Sequence, residues 1–128
     1  MSFLDYCACA LIDPAAHQAL SERTDDLVED DNNLIVVLPS KIHGSGVYPT
    51  AWFETDQKVG LLLDKQFRRT AQLGRFINHS DHPNTRMDPR STEGVILLAN
   101  DPIFSRDEIT MNYYDTILLR RIVQEAGL

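Results

Sequence analysis

The chain has 128 residues, 43% of them hydrophobic, which suits one domain with a buried core. Nineteen acidic against twelve basic residues give a formal net charge of −7. This charge argues against direct nucleic-acid binding, which needs basic groups to displace counterions, and is compatible with a basic partner. No apolar run reaches the roughly 20 residues that a membrane-spanning helix requires, and no signal peptide is recognisable. The sequence therefore predicts an intracellular protein of the cytoplasm or nucleus, without a membrane partner.

Residues 1–31 differ in composition from the rest of the chain. Asp13 as a cap and Pro14 at the first helical position predict a helix start. Six acids lie between Glu22 and Asp31, and they indicate a solvated helix end and a linker. The alternative is an acidic lip that attracts a basic peptide. We predict a helical, acidic extension, residues 1–33, packed on a domain formed by residues 34–128.

From residue 34 onward, short apolar runs alternate with turn signals. "NLIVVLP", ended by Pro39, predicts a buried strand, and "KVGLLLDK" is a second apolar run. "EGVILLANDPIF" predicts a strand that runs into a turn, and "DEITMNYYD" alternates in part. "TILLRRIVQEAGL" predicts a short closing helix or strand. The fold class is thus mainly β (α+β), with helical material at the ends.

Two groups of potential metal ligands lack a complete ligand set. Cys7 and Cys9 are too few for a zinc site and too close for an unstrained disulfide, so we predict two buried thiols. His79, Asp81 and His82 offer nitrogen and oxygen donors, but no third histidine or paired thiol completes the shell. A small metal-dependent β protein is therefore the weakest functional hypothesis, and no metal is predicted.

Three segments carry the functional signal: "SKIHGSGVY" at 40–48, "GRFINHSDHPNTR" at 74–86 and "RDEITMNYYD" at 106–115. Each is weak alone, because a glycine pair and an Asn/Asp-rich run are both typical of ordinary turns. In this order and combination they resemble the SET-domain family of protein-lysine methyltransferases, over roughly residues 34–115. "RFINHS" followed by "PN" is the most specific piece.

The resemblance implies a fold and a reaction. The fold is a SET-domain β-clip of short strands, in which the C-terminal segment makes a knot-like crossing beside the Asn-His turn. The reaction transfers a methyl group from S-adenosyl-L-methionine to the lysine amine of a protein or peptide. It needs a neutral amine, which an apolar channel favours by lowering the lysine pKa. It also needs the amine and the methyl group aligned at near-contact distance.

The resemblance also assigns the cofactor-binding residues. The backbone of Gly44, Ser45 and Gly46, referred to below as the glycine turn, is expected to lie along the amino-acid portion of the cofactor. Asn78 and His79 hold its amino group and adenine, largely through main-chain contacts, while Arg75 and Phe76 buttress that turn. The full predicted set is His43, Gly44, Ser45, Gly46, Arg75, Phe76, Asn78 and His79.

Tyr113 matches the catalytic tyrosine of the family. The resemblance implies that its hydroxyl orients the amine at the transfer point and stabilises the moving methyl group. A general-base role is not expected, because a phenol with a pKa near 10 is mostly protonated at neutral pH. The chain departs from the family pattern at Asp81, where cysteine is usual, and at Asn112, where aspartate is common.

The segment between Gly46 and Asn78 is short for the family, with 32 positions separating the two residues (78 − 46). Family members usually carry an insert here that forms one wall of the substrate groove. Trp52 and Phe53 are interpreted as core anchors of the short loop, with a lysine channel as the alternative. The missing insert leaves apolar edges, so we predict a homodimer. It also keeps open a second function, a catalytically degenerate SET-fold module that acts by protein interaction.

Overall fold

The computed structural model describes residues 32–64 and 71–115, together with Leu27 and Asp30. The predicted N-terminal helix, the two cysteines and the closing segment lie outside these residues. The division at residue 33 and the knot-like crossing stay predictions.

The described part of the chain is built mainly of short strands, which confirms the predicted fold class. A short helix, α1, interrupts them between the fourth and fifth strands. In chain order the elements are β1 (Ile35–Pro39), β2 (Ser45–Pro49), β3 (Trp52–Phe53), β4 (Lys58–Leu63), α1 (Gln72–Phe76), β5 (Asn78–His79), β6 (Thr85–Ser91), β7 (Gly94–Ala99), β8 (Ile103–Phe104) and β9 (Thr110–Met111).

The largest sheet is three-stranded, with the order β4-β7-β6 and antiparallel pairing throughout. β6 and β7 form a hairpin in which Ser91 pairs with Gly94. Gly94 has φ +135°, a conformation that residues with a Cβ atom rarely adopt. A Cβ atom at this position would also collide with the backbone carbonyl of Leu63 on β4. Glycine therefore allows the hairpin to turn tightly against the neighbouring strand.

Three small sheets surround this one: β1 with β2, β3 with β8, and β5 with β9. The first two are antiparallel and the third is parallel. Their inward side chains and those of the large sheet share one apolar core, with Leu73 of α1 among them. The core residues are Ile35, Val47, Phe53, Val59, Leu62, Leu73, Ile77, Val95, Leu97, Ala99, Ile103, Ile109 and Met111.

The first strand forms where the sequence predicts it, but the expectation that it is buried is wrong. Of β1, only Ile35 is buried, while Val36 and Leu38 are exposed. β1 pairs with β2 alone in a two-stranded sheet, so one of its faces meets the core and the other meets solvent. A continuous apolar run does not distinguish this arrangement from a strand that is covered on both faces.

Candidate active site

The three motif segments meet at the parallel pair of β5 and β9. Asn78 lies opposite Thr110 in this ladder, and the β2 segment joins through an antiparallel bridge. In that bridge the N–H of Ile109 donates to the carbonyl of Val47 at 2.7 Å. Because β9 is enclosed in this way, Ile109, Thr110 and Met111 are all buried. Both sets of alternating side chains on β9 are therefore covered, although the sequence pattern there alternates between apolar and polar residues.

The glycine turn is closed by Ser40, which lies just before it. The N–H of Ser40 donates to the carbonyl of Gly44 at 2.8 Å. The hydroxyl oxygen of Ser40 accepts the N–H groups of Ile42 at 2.8 Å and His43 at 3.3 Å. Gly44 has φ +48°, in the left-handed region that favours glycine, and a Cβ atom there would meet open space. The turn is thus held from within, while its residues Lys41 to Ser45 remain exposed.

Asn78 connects this turn to β5. Its side chain is buried, with 6% of the residue exposed. Its amide nitrogen lies 3.0 Å from the Ser40 hydroxyl, 3.1 Å from the His43 carbonyl, 3.0 Å from the Ser45 carbonyl and 2.8 Å from Oε2 of Glu108. An amide nitrogen has two protons, so these four oxygens share them. The amide oxygen of Asn78 accepts no hydrogen bond from the described residues and is left as an acceptor.

A carboxylate lies beneath the turn. Oε1 of Glu108 accepts the Ser40 hydroxyl at 2.6 Å and the Tyr48 hydroxyl at 3.2 Å. Burial, together with the charge of Glu108 and the hydrogen bond to it, raises the pKa of Tyr48 above its usual value. Gly46 gives the carboxylate its room, because a Cβ atom there would lie 2.6 Å from Oε2. The turn, Asn78 and Glu108 therefore form one polar cluster.

The contacts of His79 specify its tautomer. Nδ1 accepts the backbone N–H of Tyr113 at 3.0 Å, so the ring proton is on Nε2. Nε2 then donates to Oδ1 of Asp81 at 2.9 Å. Both ring nitrogens are engaged in these bonds, which weakens the metal hypothesis for His79 and Asp81. In residues 32–64 and 71–115, no three His, Cys, Asp or Glu side chains are grouped as metal ligands.

Tyr113 lies beside the same histidine, with ring centroids 5.2 Å apart and ring planes inclined by 55°. Its hydroxyl donates to the backbone carbonyl of Ile77 at 2.6 Å, directly before β5. The phenol proton is thus committed to a carbonyl, so toward an N–H group the hydroxyl oxygen can act only as an acceptor. This arrangement suits a residue that orients an amine better than one that removes its proton.

Asn84, from the "PN" pair, anchors the approach to β9. Its amide nitrogen donates to the carbonyl of Glu108 at 2.9 Å, and its amide oxygen accepts the N–H of Thr110 at 2.9 Å. The hydroxyl of Thr85 adds a 2.7 Å bond to the Thr110 carbonyl. From the sequence alone, no functional role was predicted for Asn84, Glu108, Ser40 or Tyr48. All four lie within the three motif segments, and this position was the only indication in the sequence that they belong to the site.

The other predicted residues lie on or near the helix and the β3 strand. Arg75 and Phe76 end α1 and are half-buried, and Phe76 packs against the core next to β5. The core-anchor interpretation holds for Phe53, which is 1% exposed, and is wrong for Trp52, which is 53% exposed. Trp52 pairs with Phe104 on the outer face of the β3–β8 ribbon, because alternate strand residues face opposite sides.

Comparison with known proteins agrees with this architecture. The family model for the SET domain matches residues 2–114, and the chain belongs to the SET-domain family. As a class, this is a family of protein methyltransferases.

A solved Plasmodium falciparum structure, named as a candidate histone methyltransferase, is 21% identical to the chain. The match covers 62% of this chain and 91% of the Plasmodium chain, with a TM-score of 0.50. At this identity the likeness shows the fold alone. None of the curated proteins compared matches the chain. Among the described residues, no helix has the length and apolar character needed to cross a bilayer.

Proposed function

We propose that this chain transfers a methyl group from S-adenosyl-L-methionine to the lysine side chain of a protein substrate. The contact that carries the proposal is the 2.6 Å hydrogen bond from the Tyr113 hydroxyl to the Ile77 carbonyl. It places the one tyrosine that the family resemblance assigns to catalysis directly beside the Asn78–His79 strand. The name of the Plasmodium neighbour points to the same class of reaction.

The polar cluster fits a cationic cofactor. The amide oxygen of Asn78 and the carboxylate of Glu108 are acceptors, and the exposed turn that ends at Ser45 presents main-chain groups. Positive ligands are stabilised by such acceptors and by a nearby negative charge. The residues that would hold the cofactor are therefore Asn78, His79 and the glycine turn. When bound, the cofactor supplies an electrophilic methyl group on a sulfonium sulfur.

The chain's own contribution to transfer is orientation. Because the phenol proton of Tyr113 is donated to Ile77, the hydroxyl oxygen accepts an N–H of the incoming amine and aims the nitrogen lone pair. The ring of Tyr113 is held in turn by its contact with His79 and by its own backbone bond to Nδ1. Orientation of this kind lowers the entropic part of the barrier.

The formal net charge of −7 favours a basic, lysine-bearing substrate over nucleic acid, since the chain attracts cations and repels phosphates. Histones are the first substrates to test, because they are basic and the Plasmodium neighbour carries their name. We further propose that the protein acts as an intracellular homodimer. Exposed apolar side chains on β1, Val36 and Leu38, support an interface of this kind.

The test is methyl transfer from radiolabelled S-adenosyl-L-methionine to a panel of basic proteins, followed by mass spectrometry of the modified residue. We expect label on lysine, and a loss of about 100-fold or more in Tyr113→Phe, because the oriented acceptor is removed. Tyr114→Phe is the matched control, since Tyr114 is exposed and adjacent, and it should retain activity. Cofactor binding without transfer to any protein would instead indicate the interaction module. Equal activity in both variants would contradict the role of Tyr113.

A further inference from the structure

Glu108 is an acid whose hydrogen-bond partners among the described residues are all neutral. Its carboxylate accepts the Ser40 hydroxyl at 2.6 Å, the Tyr48 hydroxyl at 3.2 Å and the Asn78 amide at 2.8 Å. Within the described residues it forms no ion pair with lysine, arginine or histidine. The half-buried carboxylate is thus surrounded by hydroxyl and amide groups, and no cation of the described residues lies against it.

In the proposed function, Asn78 and the glycine turn face the amino-acid portion of the cofactor. The Glu108 carboxylate contacts both of them. Through Oε2 it holds the amide nitrogen of Asn78, and it lies against Gly46 so closely that a Cβ atom there would be 2.6 Å away. Through Oε1 it binds Ser40, whose hydroxyl also accepts the Ile42 N–H inside the turn. Glu108 is therefore the shared support of two elements that are distant in sequence.

We propose that Glu108 is a positioning residue for the amino-acid portion of the cofactor, which it serves by fixing Asn78 against the glycine turn and by placing a negative charge beside the ammonium group. The inference rests on the proposed function. A neutral residue of the same shape would fill the space, but it would not attract a cation. A glutamine would also bring its own N–H₂ group against donors that need an acceptor.

The role predicts a ligand-selective effect that a purely structural role does not. S-adenosylhomocysteine contains the amino-acid portion and the adenosine, whereas 5′-methylthioadenosine contains the adenosine without the amino-acid portion. If Glu108 acts on the amino-acid portion, its loss weakens the first ligand and spares the second. If Glu108 only stabilises the fold, both ligands lose affinity together.

The experiment is calorimetric or NMR titration of the intact chain with both ligands. We expect Glu108→Gln to weaken S-adenosylhomocysteine about tenfold, as for a lost bond to a charged group, and 5′-methylthioadenosine less than twofold. Glu93→Gln is the matched control, because Glu93 is exposed and paired with Lys58, and it should change neither affinity. Tyr48→Phe removes one hydroxyl from the carboxylate and keeps the charge, so a smaller loss for S-adenosylhomocysteine alone is expected. This variant also keeps the test available if Glu108→Gln does not fold.

Equal losses for both ligands, or no loss for S-adenosylhomocysteine, would overturn the role of Glu108 while leaving the proposed function intact. A wild-type chain that binds neither ligand would instead overturn the proposed function itself. The two failures are therefore distinguishable within one titration series.

Discussion

Replacing Gly46 by alanine tests the packing of the polar cluster directly. The new Cβ atom would lie 2.6 Å from Oε2 and 2.7 Å from the carboxyl carbon of Glu108, so the carboxylate must move. Movement breaks its bonds to Ser40, Tyr48 and Asn78, each of a kind that stabilises by about 1.5–3 kcal/mol. Because Glu108 is half-exposed, hydrogen bonds to water replace part of the lost stabilisation. Alanine also stabilises the folded state by about 0.4–1 kcal/mol, because it reduces the conformational entropy of the unfolded chain. We therefore expect a net destabilisation of about 1–2 kcal/mol.

The assay is urea denaturation of the wild type, Gly46→Ala, Glu108→Ala and the double variant. In the Glu108→Ala background the added methyl group has no carboxylate to displace, and the approach of 3.0 Å to the Ser40 Cβ atom is relieved by a small shift. Gly46→Ala should then be neutral or slightly stabilising, which gives a coupling free energy of about 2 kcal/mol. An equal cost in both backgrounds would refute the argument that Glu108 occupies the space left by Gly46.

Three further predictions concern the framework around the site. Asn84→Ala should destabilise the fold by about 3 kcal/mol in urea, because the Thr110 N–H loses its acceptor and the approach to β9 loses its anchor. Gly94→Ala should cost more than about 3 kcal/mol, since φ +135° disfavours alanine and the methyl group meets the Leu63 carbonyl. Burial raises the pKa of Asp115 above its ordinary 3.8, so the folded state binds its proton more tightly than the unfolded state. The stability that this carboxyl contributes is therefore present at low pH and is lost as pH rises, and Asp115→Asn should raise Tm at neutral pH and have little effect near pH 3.

Two of these predictions, those for Gly94 and Asp115, have a matched control variant. Ser91→Ala, in the same hairpin as Gly94, retains a normal backbone and should cost far less than Gly94→Ala. Asp101→Asn, which removes an exposed carboxyl, is the charge-matched control for Asp115→Asn. A Gly94→Ala variant of wild-type stability, or an Asp115→Asn effect that grows on acidification, would show that the physical reason given is wrong.

The family and the strand-rich fold were predictable because they depend on local patterns. Pro39 ends its strand as the sequence indicates, and the glycine at position 44 adopts the left-handed conformation that its turn requires. The motifs also predicted that Asn78 and Tyr113 belong to one site, and the structure brings them together through β5 and the His79 ring. The motifs predict this because each one specifies particular residues at a fixed spacing.

Exposure and long-range polar contacts were not predictable in the same way. The outward orientation of Trp52 follows from its pairing with Phe104, a residue far along the chain. In the sequence, Glu108 of "DEIT" resembles a solvated charge. Its hydrogen bonds to Ser40 and Asn78 join residues that are distant in the chain, so the local pattern does not indicate them. A parallel ladder as short as β5–β9 has no sequence signature of its own, because its register is set by Asn84 and the Val47 bridge.

The most direct test of the central claim is a crystal structure of the chain with S-adenosylhomocysteine. We expect the amino group of the ligand within hydrogen-bonding distance of the Asn78 amide oxygen and its amino-acid portion along residues 43–46, with the sulfur facing the Tyr113 hydroxyl. A ligand bound elsewhere on the chain, or a complex in which Tyr113 is remote from the sulfur, would contradict it.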